Sequence, residues 1–189
     1  SAANAQRGQE QHNIAPSARP AWQRCVPAAH DVQKRPGLAF VGLGPGSVFL
    51  CGLPLFHVNG AIGTGLGTFC SGATVLLAGI QGYRTPGLLA GFWRLIERHR
   101  VNYFSAVPTV YAALLEVPVA GADVSSLRYA LCGAAPMPPE VFRRFEQLTG
   151  LRILEGYGLT EATCASCLNP PAGERRIGSV GLAMPYQKV

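Results

Sequence analysis

The sequence predicts an α/β fold whose mainly parallel sheet is flanked by helices. Strand-like and helix-like segments alternate four times along the chain. The strand-like segments are short apolar runs, which is typical of buried strands. Glycine or proline stands at most of their boundaries, where the chain has to turn. Strands that alternate with amphipathic helices favour βαβ units and a parallel sheet.

The predicted elements follow from these runs and from their glycine and proline boundaries. Five strands are expected, at Val48 to Pro54, Ala73 to Ala78, Val101 to Val107, Leu127 to Cys132 and Leu151 to Glu155. Four helices are expected between or after them: a glycine-rich helix from Gly60 to Gly72, an amphipathic helix from Pro86 to His99, a helix from Thr109 to Glu116, and a helix that starts at Pro138 and Pro139 and stops at Gly150.

The composition allows one folded domain with a sizeable core. Of the 189 residues, 48% are hydrophobic and 14% are charged, a balance that does not favour disorder of the whole chain. Residues 1–36 are rich in Ala, Gln, Arg and Pro and show no period, so we expect a poorly ordered tail there. Residues 37–189 are expected to form the domain.

Charge and hydropathy disfavour two other classes of protein. The formal net charge is +6, but no stripe of Lys and Arg with interleaved aromatic residues is present, so we expect no nucleic-acid partner. The stretch from Pro36 to Tyr83 has no charged residue, yet prolines, glycines, His57 and Asn59 interrupt it too often for a transmembrane segment. We therefore interpret it as buried core.

Six cysteines lie mostly in apolar surroundings, where a free thiol behaves as a small hydrophobic group. Cys164 and Cys167 have the spacing of a redox or metal pair, and this remains an alternative. A zinc site would need a second pair of ligands at a suitable distance, and the sequence has none. A reducing cytoplasm fits this cysteine usage.

Two junctions between a strand and a loop carry the candidate chemistry. In Cys132 to Pro136, small residues after a strand would let a flat ring lie against the backbone, although these residues taken alone favour an ordinary tight turn. In Glu155 to Glu161, two glycines free the backbone and Tyr157 offers a stacking face. Thr160 offers a hydroxyl for a phosphate oxygen, and Glu161 offers an oxygen for Mg²⁺. The alternative is a solvated Thr-Glu pair after a glycine turn.

The run from Glu155 to Ala162, EGYGLTEA, resembles the signature loop of the adenylate-forming enzymes, the acyl-CoA synthetases among them. Four more segments resemble that family's segments in the same order. They are LPLFHVNG from Leu53, VPTVY from Val107, CGAAP from Cys132 and RIGSVGLAMP from Arg176. The residues around Leu53 and Asn169 are most similar to those of fatty-acyl-CoA ligases. The resemblance implies that the chain is part of the large domain of such an enzyme.

The resemblance implies roles for residues of this sequence. Gly133, Ala134 and Ala135 would border the adenine of ATP or AMP. Glu155, Gly156 and Tyr157 would line adenine and ribose, and Thr160 would bind the α-phosphate. Gly158 and Leu159, between them, would also belong to the nucleotide-binding loop. Glu161 would bind Mg²⁺, so Thr160 and Glu161 are the expected catalytic residues. His57 and Val58 would lie at the pocket for the acyl group of a fatty acid, and coenzyme A would be the co-substrate.

The family's reaction also needs a phosphate loop, a ribose-binding Asp and a Lys on a C-terminal domain. The sequence before Gly42 has no Ser/Thr/Gly-rich run that ends in Lys, and the sequence stops at Val189. We therefore expect a truncated fragment that forms no acyl-CoA alone and that self-associates through exposed sheet edges.

Two alternatives stay open. A non-catalytic module with the same fold could bind an acyl chain or a nucleotide. A dinucleotide-binding domain would rest on Gly42 to Gly46 and Gly63 to Gly67, neither of which has the G-x-G-x-x-G spacing.

Overall fold

A computed structural model describes residues 41–185 and 187–189. These residues form a seven-stranded sheet in the order β2-β1-β3-β4-β5-β6-β7. The first five strands pair in parallel, and β5-β6 and β6-β7 pair antiparallel. The strands are β1 (Val48–Cys51), β2 (Thr74–Leu77), β3 (Tyr103–Ala106), β4 (Tyr129–Cys132), β5 (Arg152–Tyr157), β6 (Cys167–Leu168) and β7 (Leu182–Ala183). The predicted α/β class with a mainly parallel sheet is confirmed, and the tail expected at residues 1–36 lies outside the described residues.

The helices connect the parallel strands. A π-helix (Asn59–Leu66) continues into the short α1 (Gly67–Cys70) between β1 and β2. The later helices are α2 (Phe92–His99), α3 (Pro108–Leu114) and α4 (Pro139–Thr149). Single 3₁₀ turns occur at Gly82–Arg84 and Thr160–Ala162. Each predicted helix is therefore present, although the glycine-rich one is mostly π-helical.

The helix predicted from Pro86 begins later than expected. It starts at Phe92, and the residues before it form turns. Gly87 has φ +79°, a left-handed conformation that cannot belong to a right-handed helix. The prediction of a helix start at Pro86 was wrong because a proline that suits a first helical turn suits a β-turn equally well.

The two faces of the sheet are covered unequally. One face packs against α2, α3 and α4 in a large cluster that includes Phe92, Phe104, Tyr111 and Phe145. The other face carries a smaller cluster around Phe49, which contains no residue of these three helices. Successive residues of a strand point to opposite faces, so Tyr103 belongs to the second cluster and Phe104 to the first. In the described part of the chain, no helix has the length and hydropathy of a bilayer-spanning segment.

Candidate functional site

The two junctions singled out in the sequence lie side by side at the carboxyl ends of β4 and β5. Cys132, the last residue of β4, pairs with Glu155 of β5. Beyond this pair, a Cβ built on Gly133 would lie 3.4 Å from the carbonyl oxygen of Gly156. Ligands of parallel α/β sheets bind beyond the carboxyl ends of the strands, so this is the expected position for a site.

The turn after β4 contains a strained residue. Ala134 has φ +71°, in the left-handed region that a residue with a Cβ seldom adopts. Such strain costs about 1–3 kcal/mol, and it persists only where the surroundings enforce it, often at a binding site. Ala134 and Ala135 are both exposed, so this turn is accessible to a ligand.

The loop after β5 is closed by its own backbone. Cys164 N–H donates to the carbonyl of Leu159 over 3.1 Å, and Ser166 N–H donates to that of Tyr157 over 2.8 Å. A Cβ on Gly158 would overlap the carbonyl oxygen of Cys164, so only glycine fits there. Glycine was expected in this loop for its conformational freedom, but neither Gly156 nor Gly158 has a positive φ, and the reason at Gly158 is instead the close approach of Cys164.

The side chains of this loop are open to solvent at its tip. Tyr157 ends β5 with 48% of its surface exposed, and Leu159 is 36% exposed. Thr160 and Glu161 stand in the 3₁₀ turn, and both are exposed. A stacking ring, a hydroxyl and a carboxylate are thus available to a ligand on one short loop.

Glu155 behaves differently from the rest of the loop because its side chain is buried, at 7% exposure. One carboxylate oxygen accepts from Gly178 N–H at 2.9 Å, and the other accepts from Met137 N–H at 3.4 Å. Met137 precedes the start of α4, so the carboxylate also lies near the positive end of a helix dipole. The carboxylate therefore ties the turn after β4 and the loop around Gly178 to β5.

The thiol of Cys132 lies next to this carboxylate. Burial, and secondly the negative charge of Glu155, raise the pKa of Cys132 to about 12. The thiol is consequently neutral at physiological pH and packs as an apolar group.

His57 and Val58 lie before the π-helix, on the segment that follows β1. His57 is exposed, and its ring centroid is 5.2 Å from that of Phe56, which is 86% exposed. The π-helix reaches the loop after β5, since a Cβ on Gly63 would lie 3.0 Å from the sulfur of Cys164. The π-helix that follows His57 and Val58 therefore contacts the loop after β5 at Cys164.

The cysteine pair shows no sign of a metal centre. Among the described residues, no three His, Cys, Asp or Glu side chains come together as a metal site, and Cys164 and Cys167 are both free thiols. Burial raises the pKa of each thiol, and the backbone amide of Gly63 partly offsets this rise at Cys164.

Asn169 and Gly178 were missed by the sequence analysis as contributors to this region. Both bond to Glu155 through contacts that exist only after the chain has folded. The segments that contain them were singled out in the sequence, but no pattern within those segments marks these two residues.

A family model described as "AMP-binding enzyme" matches residues 24–189. The chain belongs to this family. The match begins at residue 24, inside the tail expected at residues 1–36, so that boundary stays a prediction.

Relatives of this AMP-binding chain are CoA ligases. A marinolic acid–CoA ligase of Pseudoalteromonas sp. is 49% identical over 142 residues, which is 75% of this chain and 22% of the relative. A sulfoacetate–CoA ligase of Cupriavidus necator is 34% identical over 140 residues, 74% of this chain and 26% of the relative. The chain thus spans about a quarter of the length of these relatives.

A solved relative has the same fold. The O-succinylbenzoate coenzyme A synthetase of Bacillus subtilis, in complex with ATP and magnesium ion, superposes with a TM-score of 0.65 and 26% identity. The similarity covers 82% of this chain and 30% of the solved chain.

Proposed function

We propose that the chain is part of an ATP-dependent enzyme that joins a fatty acid to coenzyme A. In the first step, a carboxylate oxygen of the acid attacks the α-phosphorus of ATP and pyrophosphate leaves, which gives an acyl-adenylate. In the second step, the thiol of coenzyme A attacks the acyl carbon, loses its proton and displaces AMP. The family membership and the CoA-ligase relatives support this class of reaction.

The observation that carries the proposal is the meeting of two backbone segments, the Gly133 turn and the loop that begins at Gly156. The exposed residues Ala134 and Ala135 would border the adenine ring on one side. Tyr157 would stack on the base or cover the ribose from the other side. In this arrangement the nucleotide lies across the carboxyl ends of β4 and β5.

Thr160 and Glu161 would act on the phosphate end of the nucleotide. The Thr160 hydroxyl would donate to an α-phosphate oxygen, where it opposes the charge that develops during attack. Glu161 fits a magnesium ion, because Mg²⁺ is usually held by one or two carboxylates together with phosphates of the substrate. When bound, the ion would neutralise phosphate charge.

The acid would approach from the segment after β1. Leu55 and Phe56 are exposed there beside His57, and the apolar, glycine-rich π-helix follows. These apolar surfaces suit a fatty acid better than a small charged acid. The five free thiols of the described residues are consistent with a reducing compartment, and we propose the cytoplasm.

Calorimetric titration of the 189-residue chain with AMP, with and without Mg²⁺, tests the proposal. We expect Thr160→Ala to weaken AMP binding about tenfold, since a hydrogen bond to a charged group contributes roughly 1.5–3 kcal/mol. Glu161→Gln should remove the dependence on Mg²⁺. The matched control is Glu174→Gln, which changes an exposed acid on another loop. Absence of AMP binding by the wild type, or wild-type behaviour of both variants, would overturn the proposal.

Competition between a fatty acid and sulfoacetate tests which class of acid the chain prefers. A fatty acid added with ATP should be recovered as acyl-adenylate if the chain is catalytically complete. Tight binding of the acid without any adenylate formation would instead favour the non-catalytic module, and preference for sulfoacetate would contradict the fatty-acid assignment.

A further inference from the structure

Asn169 is a buried polar residue, 3% exposed, that none of the roles above includes. It directly follows β6, opposite Glu155 of β5. Its backbone N–H donates to the carbonyl of Glu155 at 2.9 Å, and its side-chain Nδ2 donates to the same oxygen at 3.0 Å. The carbonyl oxygen of Glu155, the residue before Gly156, therefore accepts two hydrogen bonds from Asn169.

The same side chain also holds the loop of residues 176–181. Nδ2 donates its second hydrogen bond to the carbonyl of Ser179, and Oδ1 accepts from Arg176 N–H at 3.5 Å. The loop packs tightly there, because a Cβ on Gly181 would overlap the backbone of Leu168 and Asn169. The amide thus uses both donor hydrogens and its acceptor within the protein.

These bonds and those of Glu155 form one network. Asn169 fixes the backbone of Glu155, and the carboxylate of Glu155 fixes Met137 and Gly178. The network therefore joins the turn after β4, the end of β5 and the 176–181 loop. Asn169, Glu155 and Met137 are buried, whereas Gly178 is exposed. An unsatisfied polar group at the buried members costs about 1–3 kcal/mol.

We propose that Asn169 is a positioning residue for the adenine nucleotide, and this rests on the proposed function. It touches no reacting atom. Its hydrogen bonds to the carbonyl of Glu155 hold the adjoining Gly156 in contact with the Gly133 turn. Asn169 thereby sets the distance between the two backbone segments that would border the adenine ring. Loss of its amide loosens that contact and lowers affinity for AMP beyond any loss of stability.

The test compares AMP binding and urea unfolding for variants of the 189-residue chain. We expect Asn169→Ala to weaken AMP binding about tenfold, the effect of losing buried hydrogen bonds near the ligand. The matched control is Ser126→Ala, which removes a buried hydroxyl that donates to the carbonyl of Val101 at 2.9 Å, before β3 and β4 begin. This control should lose stability without a change in AMP affinity.

A second variant, Asn169→Asp, keeps the proposal testable if Asn169→Ala does not fold. Asn169→Asp keeps the shape but places a carboxylate against the carbonyls of Glu155 and Ser179, so at pH 7.5 it should bind AMP weakly. As the pH falls toward 5, the introduced carboxyl group takes up a proton and regains one donor. The ratio of variant to wild-type Kd should therefore decrease as the pH falls, which a purely structural defect would not produce.

The outcomes distinguish the two proposals. A wild-type Kd for Asn169→Ala, with lowered stability only, would overturn the role of Asn169 and leave the proposed function standing. A pH-independent ratio for Asn169→Asp would also count against it. A wild-type chain that binds no AMP would overturn both.

Discussion

Gly158 shows how much of the candidate site depends on single residues. Its neighbours Tyr157 and Leu159 are exposed, while a Cβ on Gly158 itself would overlap the carbonyl oxygen of Cys164. The site loop is therefore folded back on itself at a position without a side chain. A methyl group there cannot be accommodated by rotating a side chain, because the atom that it meets belongs to the backbone.

We expect Gly158→Ala to destabilise the chain by about 1–3 kcal/mol, in the range of overpacking substitutions, and to weaken AMP binding as the loop opens. Gly44→Ala is the control, since a Cβ there meets nothing within 4 Å and its φ is not left-handed. That change should alter stability by less than about 0.5 kcal/mol. Urea unfolding measures both, and equal midpoints would contradict the overlap at Gly158.

At the scale of single residues, the sequence predicted the residues that would contact a ligand more readily than the residues that hold the site in place. The glycines, Tyr157, Thr160 and Glu161 are visible in a linear motif, and the structure brings the first part of that motif against the Gly133 turn. Glu155 belongs to the same motif, yet its carboxylate bonds to the backbone of Met137 and Gly178. No local pattern distinguishes a carboxylate that is free for a ligand from one that partners distant amides, and the roles of these residues toward a nucleotide stay predictions.

An ion pair between Glu146 of α4 and the loop residue Arg175 lies largely out of solvent, and Arg175 also bonds to strand β5. Arg175 donates to Glu146 Oε1 at 2.5 Å and to the carbonyl of Ile153 at 2.6 Å, and its guanidinium lies 5.6 Å from the ring centroid of Phe142. Glu146 Oε1 also accepts from Ile153 N–H at 2.7 Å. One arginine thus connects the loop before Gly178 with both elements.

We expect Arg175→Ala to lower the free energy of unfolding by about 2 kcal/mol or more, because it leaves the partly buried Glu146 without its cation. Arg176→Ala is a matched control: its ion pair with Glu174 is exposed on both sides and should contribute less than about 1 kcal/mol. Chemical denaturation of both variants gives the comparison. Equal losses of unfolding free energy in the two variants would contradict the prediction that the ion pair of Arg175 with Glu146 contributes more than that of Arg176 with Glu174.

The elements that the sequence predicted well are those with local signals. Helix α4 ends where Gly150 adopts φ +66°, as its glycine indicated, and the buried strands β3 and β4 lie within their predicted apolar runs. Strands β6 and β7 were not predicted, because each has only two residues and their pairing depends on tertiary packing. The π-helical winding at Asn59–Leu66 was also missed, since a glycine-rich sequence does not distinguish it from an α-helix.

For the described part of the molecule, the edge of the sheet at β2 is open to contacts with other chains. Within residues 41–185 and 187–189, β2 pairs only with β1. Leu77 at the end of β2 is 57% exposed, and Ile80 is fully exposed. An open strand edge with exposed apolar side chains favours pairing with another chain.

We expect the 189-residue chain to self-associate as its concentration rises, and Ile80→Lys to weaken that association by placing a charge beside the open edge. Leu148→Lys, on α4 and also exposed, is the control for added charge and should have a smaller effect. Sedimentation velocity over a range of concentrations measures both. A wild-type chain that stays monomeric throughout would contradict the prediction.

The π-helix has a consequence for how the chain tolerates changes of length. Its wider winding holds more residues per turn than an α-helix, and π-helical turns are rare. Deleting one residue within Asn59–Leu66 would let the segment rewind as an α-helix without shortening it by a full turn. The residues on either side of the deletion would then keep nearly the same angular relation, because the wider turn is replaced by an α-helical turn that needs one residue fewer. A single-codon deletion here would therefore leave His57 and the sheet close to their present relation, whereas the same deletion within α4 would rotate one side of that helix by about 100°, the angle per residue of an α-helix.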